Sequence, residues 1–132
     1  MKKLQDTDDA QELTPEQIES AFMSELEAHA GQFAVKYGTP KVHVYVGVSP
    51  EGEKIIGYIK EPSYLQKIVA LDKIATAGMF MAADELRQVL TIKEESDPRT
   101  YETAADFDGY RLGMTGTCMT MIEVVQNSFK KK

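Results

Sequence analysis

A single cysteine, Cys118, stands among the 132 residues. One thiol cannot form an intramolecular disulfide framework or a thiolate cluster for structural zinc, so a reducing, cytoplasmic setting is expected rather than secretion. No long apolar run is present, and the first twelve residues hold two lysines but no hydrophobic region of the kind a signal peptide or membrane span needs. No membrane partner is therefore expected. Basic residues are outnumbered, 15 against 21 acidic, for a formal charge of -6. That sign repels phosphate backbones and anionic lipid, so nucleic acid is not expected as a partner either. Internal repeats and low-complexity tracts are also missing.

What is present suits one hydrophobic core: 42% of the residues are hydrophobic, and two separate cores would each be marginal at this length. Residues 1–13 read as a flexible acidic tail. The remainder, 14–132, reads as a single α+β domain, mainly helical, with an N-terminal helix, one β-hairpin and then two to three packed helices.

The first helix opens at Thr14-Pro15-Glu16-Gln17, a capping hydroxyl, a proline where its missing N–H costs nothing, and a glutamine three residues on. Ile18, Phe22, Leu26, Ala30, Phe33 and Tyr37 then draw one apolar stripe, and Gly38 marks the stop. After Thr39-Pro40 the period changes to two. Val42, Val44, Val46 and Val48 share one face and Lys41, His43, Tyr45 and Gly47 the other, which predicts a half-buried strand. Ser49-Pro50-Glu51-Gly52 supplies the reversal, and Lys54 to Lys60 the second strand. A two-stranded hairpin is marginal in water. Its valine face must pack on helices, or its edges must be extended by another copy, which predicts a homo-oligomer. On the opposite face His43, Tyr45 and, across the hairpin, Tyr58 suggest a small polar and aromatic recognition patch, with ordinary cross-strand packing as the plainer reading.

Pro62 ends the second strand, and Ser63-Tyr64-Leu65-Gln66 repeats the capping box, so the next helix starts near Tyr64. Its apolar residues, from Leu65 and Ile68 to Val89 and Leu90, form a surface wider than one packing partner requires. Gly78 predicts a break into two segments. Met79-Phe80-Met81 beside it places adaptable side chains where a surface could accept several partner shapes. The alternative is that these three fill gaps in the core, and burial of Phe80 separates the two. A last helix is expected from about Ala104 to Ser128, with Gly109, Gly113 and Gly116 on or near one flank allowing close backbone approach.

The chain offers little reaction chemistry. Cys118 sits on an apolar stripe without a histidine near it in sequence, Asp106-Phe107-Asp108-Gly109 lacks the remaining oxygens of a calcium loop, and Gly113-Met114-Thr115-Gly116-Thr117 lacks the lysine of a phosphate cradle. No catalytic residue, metal or cofactor is predicted.

Gly57-Tyr58-Ile59-Lys60-Glu61-Pro62-Ser63, followed by an alanine-containing helix and then Ala82-Ala83-Asp84-Glu85-Leu86-Arg87-Gln88-Val89-Leu90, resembles the tail assembly chaperones of long-tailed bacteriophages. The shared order is a short hairpin, an aromatic-aliphatic-basic-x-proline step and helical segments ending in an acidic-leucine run, over the middle third of the chain. The resemblance implies a non-enzymatic protein that binds the tape-measure protein during tail assembly, in the host cytoplasm, shielding apolar helical surface until tail-tube subunits replace it. The contact residues expected on this basis are Tyr58, Tyr64, Ile68, Met79, Phe80 and Met81. A secretion chaperone is the second reading, opposed by the single hairpin. The third is a small enzyme completing a site across an oligomer interface with His43, Tyr58 and acidic residues. A cleft of convergent polar groups would favour the enzyme, and an exposed apolar groove near Met79 to Met81 a chaperone.

Overall fold

The computed structural model describes residues 12–130. The expected acidic tail lies outside them except for its last two residues, as do Lys131 and Lys132. Helix α1, Pro15–Lys36, starts at the capping box, with Thr14 accepting from the Gln17 backbone N–H and Gln17 reaching back to that of Thr14. Strands β1, Val42–Val48, and β2, Lys54–Lys60, form the hairpin, an antiparallel pair in which Tyr45 faces Gly57 and Val44 faces Tyr58. Helix α2, Tyr64–Ala77, begins at the second capping box, on Ser63. Gly78, at φ 94°, breaks the helix, and α3 runs over Met79–Leu90. The last helix, α4, is Asp108–Lys130. It starts four residues later than the spacing predicts, because Ala104 is extended and Ala105–Phe107 makes a 3₁₀ turn. The mainly helical α+β class stands as expected.

The hairpin is covered on both faces, where the alternation in β1 predicts one. The valine face packs under α1: Val42, Val44, Ile56 and Tyr58 meet Ala30, Phe33 and Tyr37. The rings of Phe33 and Tyr58 meet edge to face with centroids 4.9 Å apart. On the other face, Ile59 and Tyr45 join Ala83, Leu86, Met114 and Cys118 in the larger core cluster. His43 and Tyr45 therefore lie on the opposite face from Tyr58, and the three form no common patch. A polar-looking face can be buried here because small residues make room. The Tyr45 ring lies across from Gly57, and its hydroxyl oxygen would stand 2.5 Å from a Cβ at either Gly47 or Gly113. Gly47 and Gly113, from β1 and α4, thus form the slot for one aromatic ring, while Met114 and Thr100 take the space over Gly57.

The outer edge of β2 is closed by the connector after α3. Ile92 N–H donates to the Tyr58 carbonyl (2.8 Å), Tyr58 N–H to Ser96 Oγ (2.9 Å) and Asp97 N–H to the Ile56 carbonyl (2.9 Å). These bonds supply most of what a third strand would. The same connector anchors α1, because Glu95 accepts from Lys36 Nζ at 2.7 Å and from the Tyr37 hydroxyl at 2.9 Å. Among the described residues no helix is long and apolar enough to cross a membrane.

Candidate protein-docking surface

Helix α2 turns one flank to the core and leaves the opposite one open. Tyr64 is 81% exposed, Leu65 68% and Val69 50%, with Ile68 beside them. Their spacing of i, i+1, i+4 and i+5 makes a continuous ridge. Phe80 and Met81 are about half exposed, so they do not serve only as core filler, while Met79 packs partly against the core. The expected contacts do not form one patch. The ridge starts at the N-terminal end of α2, and Phe80 lies beyond its C-terminal end, about 20 Å away along the axis.

Tyr58 does not belong to a docking surface. It is 5% exposed, held between Phe33 and the connector, because its place in β2 points it into the valine face under α1. The sequence places Leu65, Val69 and Val89 on the wide apolar surface without selecting them as contacts. Exposure now selects them, and the doubled i, i+1 apolar pairs in α2 are the signal that could have done so earlier.

At its N-terminal end the ridge borders a groove of about 1250 Å³ between the ends of the strands and the second half of α4. Val89, Leu90, Met121, Val124 and Val125 supply its apolar side, and His43, Glu61 and Lys67 its polar side. His43 Nε2 lies 2.6 Å from Glu61 Oε1, and Lys67 Nζ lies 3.3 Å from Glu61 Oε2. Both carboxylate oxygens are thus engaged. The hydroxyls of Thr117 and Thr120, which line the same groove, donate to the Gly113 and Gly116 carbonyls of their own helix. The convergence that an enzyme would need is present in part, but no described hydroxyl or thiol bonds to His43. Cys118 is fully buried, which pushes its thiol up to about 12, outside the range in which thiolate forms near neutrality. The groove sits at the far end of α2 from Met79 to Met81.

The partly buried carboxylates give the fold a pH dependence. Burial pushes Glu61 up, but the hydrogen bonds from His43 and Lys67 outweigh it and hold the group below its ordinary 4.5. Burial also opposes Asp84, which Arg87, Gln88 and Thr115 hold low, and the Arg99 guanidinium holds Asp97 low. Each folded-state value lies below the unfolded one. Their stabilisation is therefore complete above the ordinary carboxylate range and disappears as pH falls through the lowered values. The urea midpoint should drop steeply with acidification below pH 4.5. Glu61→Gln should flatten part of that slope, and an unchanged slope in this variant would remove Glu61 from the account.

Comparison with protein-family models, curated proteins and solved structures gives no match.

Proposed function

We propose that this chain is a non-enzymatic phage tail assembly chaperone that holds an amphipathic helix of the tape-measure protein against α2 and the adjoining groove. The observation that supports it is the exposed ridge Tyr64, Leu65, Ile68 and Val69, continued by the apolar wall of the groove. Apolar side chains at one-turn spacing match the i, i+4 anchors of a second helix. The His43–Glu61–Lys67 cluster at the border would answer that helix's polar flank. Phe80 and Met81 offer a second, separate contact for a long client.

The homo-oligomer in this reading would form at β1. Glu61 N–H donates to the Lys41 carbonyl and Ser49 N–H to that of Glu53, so the odd-numbered residues of β1 face β2. The backbone groups of Val42, Val44, Val46 and Val48 then point to the outer edge, where no described residue bonds them. Val42–Val48 holds no proline and no lysine or acidic residue to discourage pairing. Two copies aligned antiparallel about Tyr45 would set Val44 against Val46 of the partner subunit and His43 against Gly47 of the partner subunit.

Co-expression with a tape-measure protein tests the reading. A complex should be recovered that keeps the client soluble, and Leu65→Glu with Val69→Glu should abolish it without lowering the melting temperature. In the same preparations the client-free chain should sediment with at least twice the mass of one chain, and Val46→Pro should shift it toward one. A client equally soluble without this chain, with no complex recovered, would remove the chaperone; a single-chain mass throughout would remove the paired edge.

A further inference from the structure

We infer that the cleft between α3 and the start of α4 binds an oxyanion, a phosphate or carboxylate group held by Arg87 with Lys93 and Arg111. The cleft encloses about 440 Å³; these three cations line it together with Gln88 and Tyr101, and Asp84 is its one carboxylate. In a chain of formal charge -6 that is a local reversal of sign.

Arg87 carries the argument. It is 8% exposed, and Asp84 Oδ1 accepts from its Nε at 2.9 Å. Its terminal Nη1 and Nη2 have no protein acceptor among the described residues. Asp84 has little left to give, because its Oδ1 also accepts from Thr115 Oγ1 at 3.0 Å and its Oδ2 from Gln88 Nε2 at 2.9 Å. Nη1 and Nη2 of Arg87 are not among the buried unpartnered atoms, so this end of the guanidinium is open to an acceptor in the cleft. Arg111 adds charge at the edge of the cleft: its Nη2 bonds Asp108, and its Nε is buried with no partner. Lys93 forms no ion pair among the described residues and instead stands 5.6 Å from the centre of the Tyr101 ring, which favours a cation without occupying its N–H groups.

The Arg87 Nη groups and Lys93 Nζ are therefore the donors left over on residues that line one small polar space. The flat guanidinium fork matches two oxygens of a carboxylate or phosphate, which a lysine's point charge cannot imitate. None of these residues belongs to the α2 ridge, so the inference stands whatever the client. The anion could be a free small molecule or an acidic segment of another protein, and these sources give different outcomes.

The full chain is titrated with sodium phosphate, with a glutamate-rich peptide and, at matched ionic strength, with sodium chloride, while Arg side-chain Nε–H and backbone amide signals are followed by NMR. One saturable set of shifts is expected at Arg87, Gln88, Lys93 and Arg111 with at least one of the first two probes. Saturation by phosphate alone identifies a free anion, and by peptide alone an acidic segment. Lys93→Ala, at an exposed position without an ion pair, should weaken binding about tenfold with the fold intact. Arg87→Lys should lose the saturable response. Shifts that chloride reproduces, or that never saturate, mean an adventitious ion only and overturn the inference, as would an unchanged affinity in Lys93→Ala.

Discussion

Replacing Gly113 by leucine should lower the unfolding free energy by about 3 kcal/mol or more, the upper range for forcing a side chain into a filled space. The reason is the Tyr45 ring, whose atoms occupy the position of the missing side chain and whose hydroxyl also lies where a side chain on Gly47 would stand. The ring cannot retreat toward β2 without meeting Met114, which fills the space above Gly57. Gly116 is the control. It lies on the same helix, nothing stands within 4 Å of the Cβ it lacks, and alanine there should stabilise the fold by about 0.5–1 kcal/mol through helix propensity alone. Urea denaturation of the two variants should move in opposite directions. Adding Tyr45→Val to Gly113→Leu should recover part of the loss, because the two positions compete for one volume. Independent, additive effects would show that Tyr45 does not fill the slot.

The second large effect should come from Ser96→Ala, at about 2 kcal/mol, the cost of leaving a buried donor without an acceptor. Ser96 Oγ accepts from the Tyr58 N–H at 2.9 Å, and both residues are less than 10% exposed. The two flanking bonds, from Ile92 and Asp97, use backbone donors and survive the substitution. The loss should therefore stay local: hydrogen exchange should accelerate at the Tyr58 amide more than elsewhere in β2. A change under about 0.5 kcal/mol would mean that water replaces the hydroxyl at no cost.

Local signals were legible in the sequence. Both capping boxes, on Thr14 and Ser63, lie within four residues of the helices they start. The hairpin follows from the valine alternation, and the break at Gly78 follows from a positive φ that other residues adopt poorly. What escaped was the covering of both hairpin faces. In β2 both parities carry apolar residues, Ile56 and Tyr58 on one face, Ile55 and Ile59 on the other, so periodicity cannot say which of them reaches solvent. In β1 a tyrosine reads as outward until the glycines that receive it are brought together from 47 and 113, and no window of sequence spans them. The docking surface divides in the same way. Tyr64 and Ile68 are the contacts the sequence selects on one helix and are exposed there, Leu65 and Val69 of the same stripe go unselected, and Tyr58 is buried because its exposure is decided by α1 and the connector. The cationic cleft joins residues 84 to 111 across a turn and a helix start, and its unpaired donors exist only once those segments meet.

The slot for Tyr45 also bears on events at the ribosome. Its last wall, Gly113, is translated more than fifty residues after the tip of the hairpin, so the nascent strands emerge with an aromatic ring uncovered on one side. Until α4 clears the exit tunnel, the hairpin has α1, α3 and the connector to lean on but lacks the helix that closes over Tyr45, and premature release before that point would leave a sticky, half-clad sheet for the cell's quality control to find.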